Sequence, residues 1–311
     1  MKNYCILVLL LILKLTTPLN AQDLRVRNFG NKDDQAVVFL HGGPGYNSVV
    51  FEQTTAPVLA EQGYFVISYD RRGEGRNSDL VSSYNFEQSI NDLKHIADIY
   101  AVDSFYLVGH SFGGIIATKY ATKYPEQVIA LVLVSTPISM QETLKGIIVK
   151  SKEIYERKSD DVNLGYINLL ENMDTSSLEF SSYTLMHAMQ NGFYKTSSPT
   201  SQAIKIYGEM QSDSLITVFG NKQDYRSPGG FWDSEKYTTV DISNDLKSLV
   251  SNGVWVYGLY GKDDGLFTNK HIAKLGEIIG NKNLTYADSC SHNFYIDRQR
   301  LFMDKMYSIG H

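Results

Sequence analysis

The chain has 311 residues, a formal net charge of −5 and two cysteines. This length can bury a full hydrophobic core, either as one large domain or as two small ones. Because the charge is mildly negative and the sequence contains no basic cluster, the composition argues against a nucleic-acid partner.

The first residues have the pattern of a secretory signal peptide. Lys2 gives a positive start, residues 5–13 are an unbroken apolar run, and a small residue, Ala21, follows. We predict cleavage after Ala21, export to the periplasm or the medium, and no stable membrane insertion after cleavage. A membrane anchor is the alternative, but a spanning helix needs about 20 apolar residues and Lys14 interrupts this run. Once the signal is removed, only Cys290 remains, so we expect no internal disulfide.

Apolar, β-branched segments recur along the rest of the chain, separated by helix-like stretches. This alternation predicts an α/β fold with a mostly parallel sheet and helices on both faces. The segments are "AVVFL", "YFVIS", "SFYLVG", "ALVLVS", "WVYGLYG" and "NLTYA".

The strand pattern stops between the fourth and the fifth of these segments, where the sequence becomes polar and helix-like. Since this stretch falls between two sheet strands, we interpret it as an inserted, mainly helical cap domain. Its later part, "NKQDYRSPGGFWDSEKY", has the composition of a loop-rich segment. The predicted division is a signal peptide at 1–21, the first part of the core at 22–137, the cap at 138–250 and the second part of the core at 251–311.

One serine, Ser111, lies between a predicted strand and a predicted helix, in the motif "GHSFGG". A turn this tight needs neighbours without a Cβ, and Gly109 and Gly113 flank the serine. The hydroxyl would then be exposed at the carboxyl edge of the sheet, near helix N–H groups that favour negative charge. A G-x-S-x-G motif also occurs by chance, but a strand before it and a helix after it favour a catalytic nucleophile.

A serine nucleophile needs a base to accept its proton and an acid to orient that base. At such a strand-to-helix turn, the acid and then the base follow the serine in the chain. Asp264 stands three residues after Gly261 at the end of an apolar strand and is the preferred acid, with Asp263 as the alternative. Of the seven histidines, His292 alone lies on a loop after the final predicted strand, so we predict it to be the base.

Attack on a carbonyl also needs N–H groups that bind the negative oxygen. One should come from the residue after the nucleophile, Phe112. The other should come from the loop after the first predicted core strand, which reads "HGGPG", and there we predict the Gly43 N–H. A simple glycine-rich turn is the alternative, but it would not explain why the motif follows the strand that the mechanism requires.

Taken together, "HGGPG", "YDRRGEGRNSD", "GHSFGG", "GKDD" and "SHNFYID" resemble the proline iminopeptidase branch of the α/β-hydrolase superfamily. The resemblance implies an α/β-hydrolase sheet and the release of an N-terminal residue, often proline, from short peptides. It also implies that Ser111, Asp264 and His292 form a catalytic triad and that Gly43 and Phe112 are the oxyanion donors.

Two further expectations concern the loop 70–78 and the cap. We interpret the loop as a scaffold for the oxyanion turn, with Asp70 accepting hydrogen bonds from backbone N–H groups. The resemblance implies that carboxylates of the cap bind the free amine of a peptide substrate. No family motif selects among the candidates, which are Glu142, Glu153, Glu171, Glu209 and Asp213.

Three functions compete at this point. The first is a serine peptidase that acts on N-terminal residues, the second a carboxylesterase or lactonase with the same triad, and the third a non-catalytic binding protein of this fold. The complete set of predicted triad residues counts against the third, and a serine at 111 excludes the carboxylate nucleophile of epoxide hydrolases and dehalogenases. We expect a small peptide or ester as the partner and neither a cofactor nor a metal; the sequence predicts no particular oligomeric state.

Overall fold

The computed structural model describes residues 24–310, so the predicted signal peptide at 1–21 lies outside the described residues. Seven strands form one sheet in the order β1-β3-β2-β4-β5-β6-β7. Strand β1 is antiparallel to β3, and every other neighbouring pair is parallel. Strands β2 to β7 coincide with the six predicted apolar segments. The strands are β1 (Val26–Phe29), β2 (Gln35–Leu40), β3 (Tyr64–Tyr69), β4 (Phe105–His110), β5 (Val128–Val134), β6 (Trp255–Gly261) and β7 (Leu284–Ala287).

Helices cover the sheet and fill the interval between β5 and β6. None of the helices in residues 24–310 has both the length and the apolar character needed to cross a membrane. The helices are α1 (Val49–Thr54), α2 (Ala56–Glu61), α3 (Phe86–Ile99), α4 (Phe112–Lys123), α5 (Met140–Lys158), α6 (Asp161–Glu171), α7 (Leu178–Gln190), α8 (Ser201–Met210), α9 (Arg226–Glu235), α10 (Ser243–Ser251), α11 (Asn269–Ile279), α12 (Phe294–Asp297) and α13 (Gln299–Gly310).

Both faces of the sheet are buried. In β2, Val37 and Phe39 pack into the cluster on one face, while Val38 and Leu40 pack into the cluster on the other. Each of these four side chains is at most 1% exposed. Because a strand covered on both sides has no solvent face, its sequence is continuously apolar instead of alternating.

The helices between β5 and β6 pack in two different regions of the molecule. Helices α5, α6 and α7 enclose a small apolar cluster of their own, which includes Leu144, Ile167 and Phe180. All of helix α10 except its last residue also lies within residues 138–250, but this helix packs against α4 and α11 on the sheet, and its Leu246 is fully buried in the main core.

The segment that the sequence predicts to be loop-rich contains a helix, α9, so that prediction is wrong there. Pro228 is the third residue of this helix, within the first turn, where a missing N–H breaks no intrahelical hydrogen bond. Gly230 is needed for packing, since a Cβ there would lie 2.3 Å from the ring of Tyr84. Pro228 is therefore compatible with the start of the helix, and Gly230 is explained by its close packing against Tyr84.

Candidate active site

Ser111 occupies a strained turn between β4 and α4. Its backbone has φ 52° and ψ −124°, a combination that is rare for a residue with a Cβ. The neighbouring glycines permit the turn: a Cβ at Gly113 would lie 2.3 Å from the Leu40 carbonyl oxygen, and one at Gly109 would lie 2.5 Å from Gly114 Cα. Strain of this kind costs about 1–3 kcal/mol and persists where the surrounding structure enforces it.

A buried hydrogen bond joins His292 to one of the two adjacent aspartates. His292 Nδ1 lies 2.8 Å from Asp264 Oδ2, and both residues are at most 5% exposed. The second oxygen of Asp264 accepts the Leu266 N–H at 3.0 Å, which fixes the carboxylate. Asp263 is held elsewhere, because its carboxylate accepts the Thr196 hydroxyl at 2.5 Å. The structure thus brings Asp264, and not Asp263, to His292.

His110, the residue before Ser111, links the turn at Ser111 to the loop that carries His292. The His110 ring lies 4.9 Å from the His292 ring, and His110 Nε2 is 3.1 Å from the His292 carbonyl oxygen. Burial and the neighbouring His292 lower the pKa of His110 to about 3. His110 is therefore neutral at physiological pH, and its Nε2–H can donate to that carbonyl. This contact holds the His292 loop against the strand end that leads into Ser111.

The glycine-rich turn after β2 lies directly against Ser111. A Cβ on Gly42 would be 3.2 Å from Ser111 Cβ. Gly43 has φ +124°, a backbone conformation that favours glycine. Phe112 is the first residue of α4, so its N–H has no intrahelical acceptor and lies at the positive end of the helix dipole. The two predicted oxyanion donors thus belong to the two backbone segments that flank Ser111.

A buried ion pair holds this turn in place. Arg71 donates to the His41 carbonyl oxygen at 2.5 Å and to the Gly42 carbonyl oxygen at 2.6 Å. Its guanidinium also lies 2.7 Å from the fully buried carboxylate of Glu74. Glu74 in turn accepts the Gly45 N–H at 3.2 Å. Both ends of the "HGGPG" turn are therefore fixed by charged groups from the loop after β3.

The predicted role of Asp70 as a backbone acceptor is confirmed. Its two carboxylate oxygens accept the Ser48 N–H at 2.8 Å and the Arg76 N–H at 2.7 Å. Burial opposes ionisation of this carboxyl, but hydrogen bonds from Arg76 and its charge outweigh burial and lower the pKa of Asp70 to about 2. A permanently charged Asp70 thus links the loop after β3 to the segment that follows the glycine-rich turn.

Aromatic residues from the segment between β5 and β6 pack against the start of α4. The ring of Phe112 lies 5.1 Å from the ring of Phe231 on α9 and 5.6 Å from that of Tyr237. Phe112 is only 2% exposed. The start of α4, which carries the predicted oxyanion N–H, is therefore anchored in an aromatic cluster that the cap completes.

Another segment between β5 and β6 contacts the loops that carry Asp264 and His292. The Phe193 carbonyl oxygen accepts the Gly265 N–H at 2.9 Å and the Ser291 hydroxyl at 3.2 Å. The next residue, Tyr194, places its ring 5.1 Å from the His292 ring at an angle of 85°. Sequence reasoning missed these residues because they belong to no motif; only their three-dimensional contacts identify them.

The five cap carboxylates proposed as amine ligands are engaged elsewhere or exposed. Asp213 accepts the N–H of Ile216 at 2.8 Å and thus stabilises a local turn, and Glu153 is exposed to solvent. The other three are paired with lysines and are partly or largely exposed: Glu142 with Lys274 at 3.3 Å, Glu171 with Lys152 at 2.9 Å, and Glu209 with Lys205 at 3.7 Å. Residues 24–310 contain no group of three or more His, Cys, Asp or Glu side chains placed to hold a metal ion.

Comparison with known proteins agrees with this architecture. A family model described as the alpha/beta hydrolase fold matches residues 35–299. The chain is 24% identical to a proline iminopeptidase of Chitinophaga pinensis over 94% of this chain and 95% of that protein. The fold is similar to that of a proline iminopeptidase-related protein from Thermus thermophilus, with a TM-score of 0.65, 18% identity and 91% of each chain covered. It is also similar to an esterase from Exiguobacterium antarcticum, with a TM-score of 0.60, 18% identity and 93% and 96% of the two chains covered.

Proposed function

The chain belongs to the α/β-hydrolase family, and on that premise we propose that it is an exported serine hydrolase whose nucleophile is Ser111. The observation that carries the proposal is the 2.8 Å hydrogen bond between His292 Nδ1 and Asp264 Oδ2. This bond lies at the sheet edge where the strained turn holds Ser111.

The proposed reaction is acyl transfer in two steps. With Nδ1–H donated to Asp264, the Nε2 of His292 keeps its lone pair and accepts the proton as Ser111 Oγ attacks the substrate carbonyl. The same proton then passes from His292 to the leaving group as the carbonyl–leaving-group bond breaks, which leaves an acyl-enzyme. Water, deprotonated by His292, attacks the acyl carbonyl, and the protonated His292 returns the proton to Ser111 as the acid product leaves.

The negative oxygen formed in each step would be bound by the N–H groups of Phe112 and Gly43. Their placement is fixed before the substrate arrives, because Phe112 is anchored in the aromatic cluster and Arg71 holds the turn that contains Gly43. Preorganised donors of this kind are worth about 2.7–4 kcal/mol each in related chemistry.

The first candidate substrate is a short peptide from which an N-terminal residue, such as proline, is released. The motifs of the chain support this choice, as does the similarity to a proline iminopeptidase along nearly the whole length of both proteins. This activity requires an acidic group that binds the substrate's ammonium.

The second candidate is hydrolysis of a carboxylic ester or lactone, and one observation favours it. The five cap carboxylates are occupied by lysines, used in a local turn or exposed, so none of them is shown facing Ser111. An ester or lactone carries no ammonium group, and its hydrolysis would need no such ligand.

One set of rate measurements separates the two candidates. Proline and alanine anilides with a free amine should be compared with acetyl-proline anilide and with short acyl esters. A peptidase should lose activity on the acetylated anilide, because the loss of a desolvated charge pair costs a few kcal/mol. Equal rates on free and acetylated anilides would remove the peptidase proposal and leave the esterase one.

A change in the cap tests the amine site itself. If the protein is a peptidase, one of the neutral variants Glu142→Gln, Glu153→Gln, Glu171→Gln, Glu209→Gln and Asp213→Asn should lose activity on free-amine anilides and keep activity on acyl esters. Retention of peptidase activity by all five would place the amine ligand outside this set.

Export is part of the proposal. It rests on the sequence of residues 1–21, with cleavage after Ala21. Sequencing of the mature N-terminus from the secreted or periplasmic fraction tests it: an N-terminus at Gln22 supports export, whereas a chain that keeps Met1 in the cytoplasm contradicts it.

A further inference from the structure

A lysine of the cap reaches the loop that carries Asp264. Lys150 lies on α5, is partly buried, and donates from Nζ to the Gly265 carbonyl oxygen at 3.0 Å and to the Phe267 carbonyl oxygen at 2.5 Å. These two carbonyls belong to the residues that closely follow Asp264 in the loop. One ammonium group therefore joins two carbonyls of this loop, and the Phe193 carbonyl oxygen accepts the Gly265 N–H of the same loop.

The same face of α5 packs closely on the next part of the loop. Gly146 precedes Lys150 by one helical turn, so both project from one side of the helix. A Cβ on Gly146 would lie 2.9 Å from Thr268 Cγ2, which leaves no room for a larger residue without a shift. Because α5 rests against the loop at Gly146, the Lys150 side chain is directed at its carbonyls.

We propose that Lys150 is a positioning residue of the active site: its ammonium fixes the loop that carries Asp264 by donating to two of the loop's backbone carbonyls. This inference rests on the proposed serine-hydrolase function and extends it to a cap residue. A fixed loop keeps the Asp264–His292 hydrogen bond in register with Ser111.

The charges around Lys150 are consistent with this role. Burial lowers the pKa of Lys150, and the carboxylates of Asp264 and of Glu153 on its own helix oppose that effect. His271 on α11 also faces this lysine, and burial lowers its pKa to about 3, so it is neutral at the pH of any assay near neutrality.

Neutral and charged groups from other elements also face Asp264 and His292. His110 is neutral, and burial raises the pKa of Tyr194, which keeps its hydroxyl protonated. Asp263 and Asp297 add negative charge near Asp264, and burial raises the pKa of Asp297. Three more charged residues of these loops form exposed contacts with one another: Lys262, Asp288 and Arg298.

The test uses the rate at which a fluorophosphonate labels Ser111, with urea unfolding of each variant measured beside it, and so needs no identified substrate. Four variants are compared with the parent: Lys150→Met, Lys150→Gln, Lys150→Arg and the control Lys152→Met. Lys152 lies on the same helix and pairs with Glu171 at 2.9 Å on an exposed surface. Lys150→Gln keeps a hydrogen-bond donor and removes the charge, and it also serves if Lys150→Met does not fold.

We expect Lys150→Met to be labelled about tenfold more slowly near neutral pH, because the loop is misplaced. Lys150→Arg and Lys150→Gln each keep a donor for the loop carbonyls, so each should recover part of the lost labelling rate, and Lys150→Arg should recover more because it also keeps the positive charge. Lys152→Met should keep the parental rate.

A parental labelling rate in Lys150→Met would overturn the inference, and so would a rate loss that Lys150→Arg does not partly recover although that variant unfolds in urea as the parent does. A rate loss of the same size in Lys152→Met would overturn it as well. If the parent itself is not labelled at Ser111, the proposed function fails, and this inference fails with it.

Discussion

The guanidinium of Arg71 and the carboxylate of Glu74 form an ion pair at 2.7 Å with almost no solvent access, at 2% and 0% exposure. The pair lies behind the glycine-rich turn, and each partner also bonds the backbone of that turn. Away from water, the cost of desolvating each charge is offset by its partner only while both charges are present. The geometry of the proposed oxyanion site therefore depends on a pair that does not itself touch the substrate.

Replacement of Arg71 should show this dependence. Arg71→Met leaves the Glu74 carboxylate buried without its partner, so we expect a loss of about 3–5 kcal/mol in the free energy of unfolding. The double variant Arg71→Met with Glu74→Gln should recover part of the stability but little of the labelling rate at Ser111, because the bonds to the His41 and Gly42 carbonyls are still missing. Urea unfolding and fluorophosphonate labelling measure the two quantities. Parental stability in the single variant would contradict this account of the turn.

The two adjacent aspartates should differ sharply in their effect on turnover. Asp264→Asn should lower the rate by several orders of magnitude, on the order of the 10⁴ known for replacement of a triad acid. Asp263→Asn is the matched control, because Asp263 bonds Thr196 and does not contact His292. Asp263→Asn should lower the turnover rate far less than Asp264→Asn does. Turnover of an activated ester by both variants is the measurement, and the reverse order would identify Asp263 as the acid.

Buried histidines should make the protein less stable in acid. Burial lowers the pKa of both His110 and His271 to about 3, and that of His41 well below its usual value. An unfolded chain binds protons at these groups below about pH 6.5, whereas the native protein does not. The free energy of unfolding should therefore fall as pH drops from about 6.5 towards 3, by up to about 1.4 kcal/mol per pH unit for each histidine.

The variant His271→Phe isolates one of these contributions. His271 is 3% exposed and its ring lies 4.5 Å from that of Phe267 at an angle of 33°, so a phenylalanine ring suits the position. We expect the free energy of unfolding to fall less steeply between about pH 6.5 and 4.5, by up to about 1.4 kcal/mol per pH unit, which is the contribution of one histidine. The exposed His95 provides the control, His95→Gln, which should keep the parental slope. An unchanged slope in His271→Phe would show that this histidine is not buried in its neutral form.

The sheet and the turn at Ser111 could be predicted because the sequence patterns that specify them are local. A strand buried on both faces must be apolar along its whole length, and a turn as tight as that at Ser111 needs glycines at fixed positions. The choice between Asp263 and Asp264 could only be stated as a preference, since neighbouring residues share the same pattern. The structure separates them by their partners, Thr196 and His292.

The cap could not be predicted to the same depth. Three residues contact the loops that carry Asp264 and His292, although they lie far from these loops in the chain: Phe193, Tyr194 and Lys150. No periodicity or motif encodes such contacts. Helix α9 was missed because Pro228 and Gly230 suggest a loop when read locally. In the folded chain, the position of Pro228 in the first turn and the contact of Gly230 with Tyr84 explain both residues.

The most direct test of the proposed function is covalent labelling of the mature protein with a fluorophosphonate, followed by peptide mass spectrometry. Ser111 in its strained turn should be the labelled residue, because a hydroxyl activated by a neighbouring base reacts far faster than an ordinary serine. Ser111→Ala and His292→Ala should fold as the parent does and show no label. Labelling at a different serine, or a label that persists in Ser111→Ala, would contradict the assignment of Ser111 as the nucleophile.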